Sequence, residues 1–87
     1  MHEFSLMADL LRKIERLAKD AESDKVTAVR VRLGALSHIT PDHFREHFRD
    51  AIVGTVAEGA TLDVEQSEDE QAPDAQDILL ESVDVRA

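Results

Sequence analysis

Met1, His2 and Glu3 place an α-amine, an imidazole and a carboxylate within three residues. A free α-amine titrates at about 7.7–8.0 and an imidazole at about 6.5, so both shed protons near neutrality. The amide nitrogen between them ionises when a strong tetragonal cation takes it. Amine, amide and imidazole Nδ1 then close fused chelate rings around one ion. Nitrogen-rich, square-planar coordination of this kind suits nickel(II) or copper(II). Glu3 adds a further donor, by its amide or its carboxylate, or tunes the site from outside. The plainer alternative is an exposed histidine, with Glu3 offsetting the dipole of the helix that follows. Methionine removal requires a small second residue and His2 is bulky, so Met1 is expected to stay.

Other chemistry-bearing residues are weaker candidates. His43 and His47 stand four apart on a helical stretch and so share a face. Two imidazoles at that spacing are able to hold a metal, with Asp42, Glu46 and Asp50 close by. A solvated helix face is the plainer reading. His38 reads as an exposed loop residue. Ser5 and Ser37 lack a nucleophile-elbow pattern, the three glycines are scattered rather than gathered in a phosphate loop, and Glu68-Asp69-Glu70 lacks the spacing of a calcium loop. A non-enzyme is expected.

Composition narrows the classes further. Nineteen Asp and Glu against ten Lys and Arg give a formal charge of -9. That sign opposes nucleic acid and anionic membrane surfaces and favours a cationic partner or a metal cation. Without cysteine there is no disulfide scaffold and no zinc finger. Asp9, Arg12, Lys13 and Glu15 interrupt any signal-like apolar stretch, and no run reaches membrane-spanning length. The expected location is the cytoplasm.

The elements that must position these residues follow from periodicity. Leu6, Leu10, Ile14, Leu17 and Ala21 predict a first helix over residues 5–22, widened by Met7, Leu11 and Ala18, with Ser5 as cap and residues 2–4 extended. Residues 26–33 alternate as a strand, with Val29, Val31 and Leu33 inward and Arg30 and Arg32 outward. Gly34 ends it. Thr40 and Pro41 open a second helix as cap and first residue, with Phe44, Phe48 and Ile52 on one face and Gly54 near its stop. Residues 60–65 form a strand with Leu62 and Val64 inward. Residues 66–77 form an acidic loop, and residues 78–85 a last strand with Val83 and Val85 inward. The expected fold is α/β (α+β): one two-layer domain over residues 1–87, two helices on one face of a small three-stranded mixed sheet. Its core holds Leu10, Ile14, Val31, Phe48, Leu62 and Val83. Such a sheet leaves an edge exposed, open to homodimer formation or to docking.

Three colinear stretches carry a resemblance. MHEFSL resembles the MHE-hydrophobe-Ser-Leu opening of the HypA-like hydrogenase nickel-incorporation family. VTAVRVRLGALSHITPDHF, residues 26–44, resembles that family's central signature, and GTVAEGATLDVE, residues 54–65, its next conserved segment. ILLESVDV is similar to its closing strand, while Phe4 replaces the usual Leu or Met. The resemblance implies a metallochaperone that delivers nickel to a nickel–iron hydrogenase or a related nickel enzyme. It implies nickel(II) held by Met1, His2 and Glu3, and as partners a nickel-handling GTPase and the large subunit of the nickel enzyme. At positions 43 and 47 the family often has small or apolar residues, so nothing carries over to those histidines. The family also carries an inserted zinc domain with two CxxC pairs before its last strand. Here residues 66–77 stand in that interval without cysteine, so no structural zinc is expected. The alternative function is a metal-free interaction or regulatory relative that keeps only the fold.

Overall fold

The computed structural model describes the backbone of residues 2–86 and the side chains of residues 6–86. Its elements run α1 (His2–Asp20), β1 (Val26–Leu33), α2 (Pro41–Ala51), β2 (Thr61–Gln66) and β3 (Ile78–Val85). The three strands form one mixed sheet in the order β2-β1-β3. β1 and β2 are parallel, because α2 carries the chain back along the sheet between them. β3 is antiparallel to β1. α1 packs on the β3 side and α2 on the β2 side, and both helices close over one core. Both outer strands, β2 and β3, leave open edges.

The inner face of the sheet is aliphatic. Val29 and Val31 face Leu62 and Val64 of β2, and Val26, Val29, Val31 and Leu33 face Val85, Val83, Leu80 and Ile78 of β3. Above them sit Leu10 and Ile14 of α1 and Phe44 and Phe48 of α2, all buried. Burying a side chain of this size contributes about 1.5–3 kcal/mol. Leu62 and Val83, on the outer strands, are only partly buried. The opposite face is charged: Arg30 pairs with Asp63 at 3.2 Å, and Arg32 with Glu65 at 3.5 Å and Glu81 at 3.3 Å. Exposed pairs of this kind contribute at most about 1 kcal/mol each.

Two register shifts explain which residues turn inward. Between Val26 and Ala28, β1 carries one residue more than β3. This bulge brings Val26 inward although it is out of phase with Val29. Between Arg30 and Val31 the extra residue lies on β3. It brings Ile78 and Leu80 inward out of phase with Val83 and Val85.

The first helix departs from the sequence expectation at both ends. It begins at His2, so residues 2–4 are not extended and Ser5 is not the cap. No Gly or Pro interrupts residues 2–5, and an acidic residue in a first turn favours the helix. At the other end α1 stops at Asp20. Glu22 takes a left-handed conformation, φ 57°. The Ser23 N–H donates to the Ala18 carbonyl and the Glu22 N–H to the Lys19 carbonyl, the hydrogen-bond pair of a Schellman motif. The buried stripe is Met7, Leu10, Ile14 and Ala18, whereas Leu17 is 46% exposed. The stripe steps by three, four and four residues, which leaves Leu17 on its margin and Ala21 outside it.

The acidic loop is tied to the end of β1. The Ser67 N–H donates to the Leu33 carbonyl at 2.8 Å, the Gly34 N–H to the Asp77 carbonyl at 2.8 Å, and the Leu36 N–H to the Ala75 carbonyl at 2.7 Å. Ala75 is buried. A Cβ on Gly34 would stand 2.2 Å from the Ala75 oxygen, so only glycine admits this approach. Gly34 therefore does more than end the strand.

Candidate metal centre

α1 begins over the end of the molecule where β1 finishes and α2 starts. Its early residue Met7 borders a cleft of about 260 Å³ together with Ile39, Phe44, His47, Asp50 and Ile78. Glu3 lies one helical turn before Met7. Met1, and the side chains of His2 and Glu3, lie outside the described residues. The backbone of His2 and Glu3 belongs to the first turn of α1. N–H groups there have no carbonyl acceptor within the helix. An ion that takes one of these nitrogens therefore breaks no helical hydrogen bond.

α2 is fixed locally. The Thr40 side chain accepts from the His43 N–H at 3.2 Å, Pro41 occupies the first helical turn, and Phe44 and Phe48 bury one face. All three features match the sequence expectation. On the outward side, His43 Nε2 and His47 Nε2 are 2.8 Å apart. Their ring centroids lie 4.5 Å apart with the planes tilted by 42°. Asp42, Glu46 and Asp50 lie on the same helix. Among the described residues no group of three or more His, Cys, Asp or Glu is arranged to hold a metal.

The remaining candidates are dispersed. His38 is exposed, as expected, and takes φ 62° in the loop between β1 and α2. Asp24 sits at the opposite end of the sheet. There a hydrogen bond from Arg86, reinforced by its charge, holds the carboxyl below its ordinary value. The docking of Ala75 on Gly34 had no distinctive signal in the sequence, because Ala72 stands in the same polar, acidic run. The Met7–His47 cleft had none, because it joins residues from separate elements. Among the described residues no helix is long and apolar enough to cross a membrane.

Residues 1–72 match the family described as HypA, hydrogenase/urease nickel incorporation metallochaperone. The chain is 41% identical over 64 residues to the hydrogenase maturation factor HypA of Archaeoglobus fulgidus, covering 74% of this chain and 58% of that protein. It is 38% identical over 65 residues to the hydrogenase maturation factor HypA of Methylocella silvestris, covering 75% and 58%. The chain thus spans less than two thirds of the length of these relatives. The solution structure of the Ni metallochaperone HypA from Helicobacter pylori superposes with a TM-score of 0.79 at 22% identity, covering 100% of this chain and 99% of that one. At that identity the likeness speaks for the fold alone.

Proposed function

The chain belongs to the HypA family of nickel-incorporation metallochaperones, and from that premise we propose that it carries nickel(II) as cargo, held by Met1, His2 and Glu3. The observation that carries the reading is that the family match begins at residue 1, so the amine, imidazole and carboxylate fall inside the matched region. Three physical arguments support it. The donor set is nitrogen-rich, which suits planar nickel coordination, and its members are adjacent in sequence. The first-turn amides of α1 lack intrahelical acceptors. An ionised amide and the Glu3 carboxylate also offset the charge of the cation, which a helix N-terminus would otherwise repel.

In this proposal the protein is not an enzyme. It acts in the cytoplasm during maturation of a nickel enzyme of the nickel–iron hydrogenase type. A nickel-handling GTPase and the large subunit of that enzyme are its partners, and an open sheet edge is available for docking or for a homodimer. The acidic loop takes the place of the family's zinc domain, over residues 67–77 rather than the expected 66–77 because Gln66 ends β2. Ser67 and Asp77, near the two ends of that loop, hydrogen-bond to the neighbouring residues Leu33 and Gly34. An inserted domain would leave and rejoin the sheet there.

Calorimetric titration of the untagged chain with nickel(II) tests the proposal. One ion binds per chain, and affinity falls steeply below about pH 6 as imidazole and amine regain their protons. His2→Ala removes this binding and leaves the melting temperature of the metal-free protein unchanged. Equal nickel affinity in the His2→Ala chain overturns the assignment of the ligands, and no nickel binding by the untagged chain leaves the metal-free interaction module as the reading.

A further inference from the structure

We propose that His43 and His47 form a second metal site, for zinc(II). The two Nε2 atoms stand 2.8 Å apart. Two nitrogens bound to one ion at about 2.0–2.1 Å are separated by about 2.8–3.0 Å at a right angle, and by about 3.3 Å at the tetrahedral angle. The pair already meets the first spacing and reaches the second by opening through about half an ångström.

In the metal-free protein the same spacing places one imidazole N–H against the lone pair of the other ring. A metal ion replaces that shared proton without moving the helix. The spacing is set by the pitch of α2, which Thr40 caps and which Phe44 and Phe48 anchor to the core. Asp42, Glu46 and Asp50 outnumber Arg45 and Arg49 on this helix, which leaves it a small net negative charge that favours a cation. Among the described residues no group of three or more His, Cys, Asp or Glu includes the pair. His47 also borders the cleft shared with Met7, which puts the pair on the side of the molecule from which α1 begins.

Zinc(II) is the probe of choice, because the tetrahedral preference of this ion suits two imidazoles and gives it little use for planar amide nitrogens. Calorimetric titration of the full, untagged chain with zinc(II) yields one ion per chain. His43→Ala/His47→Ala weakens that binding at least tenfold while the thermal melt of the metal-free protein is retained. Each single substitution does nearly as much, since one imidazole alone gives no chelate. His2→Ala leaves zinc binding intact, so failure here is separable from failure of the nickel proposal, which is read with nickel in that variant. No zinc binding, zinc binding that survives in the double variant, or zinc binding lost in His2→Ala overturns the inference.

Discussion

The start of the chain and the outward face of α2 both gather nitrogen donors, but they draw on different parts of the polypeptide. The donors at Met1, His2 and Glu3 are neighbours in sequence. Covalent geometry sets their spacing, and most of their nitrogens are backbone or amine. The donors at His43 and His47 are neighbours only because α2 is helical, and their 2.8 Å separation depends on buried Phe44 and Phe48. The first arrangement is indifferent to packing and sensitive to anything attached ahead of Met1. The second is indifferent to the start of the chain and sensitive to the fold. A site made from adjacent residues and a site made from a fold therefore fail under different insults.

The largest expected effect separates the two at once. Val31 is fully buried at the centre of β1, between both outer strands. Val31→Asp places a carboxyl there without a partner, at a cost of about 4 kcal/mol or more. That is a large share of the total stability of a domain this size, about 4–13 kcal/mol at 0.05–0.15 per residue. Circular dichroism should report an unfolded chain. Zinc binding by the imidazole pair should go with the fold, while nickel binding by the first three residues persists. Nickel binding lost together with the fold would break the comparison.

A smaller effect sharpens it. Thr40→Ala removes the acceptor for the His43 N–H and costs about 1 kcal/mol. A thermal melt should fall by about 4–8 °C. The fraying first turn of α2 should weaken zinc binding and leave nickel binding alone. An unchanged melt would mean that α2 is held by its buried face without help from the cap.

The contrast also marks how much was legible in the sequence. β1, the Thr40-Pro41 start of α2 and the inward side of Val83 and Val85 follow from alternation and capping, and all are found as read. The two bulges were not legible, since an extra residue in a strand shows only against its partner. Hence Ile78 and Leu80, out of phase with Val83, gave no sign of facing inward. The start of α1 was misplaced because Ser5 is a good cap by type. A cap residue does not stop a helix that already runs through it. The spacing of His43 and His47 was visible as a shared face, but whether their rings meet is a matter of rotamers that sequence does not specify. Gly34 was readable as a strand end, whereas its close approach to Ala75 is a tertiary contact across about forty residues of chain.

Nickel capture by the α-amine is tested most directly by moving that amine. The untagged chain and the same chain extended by four glycines ahead of Met1 are titrated with nickel(II), and the visible absorption of planar, nitrogen-ligated nickel is followed. A single added residue would be a poor choice. It would make histidine the third residue, where amine, two amides and imidazole close another planar chelate. With four added residues His2 keeps its place in α1, and His43 and His47 are untouched. The account predicts that the planar band grows to one equivalent in the untagged chain and is absent from the extended one. The same band at the same stoichiometry in both chains would contradict it.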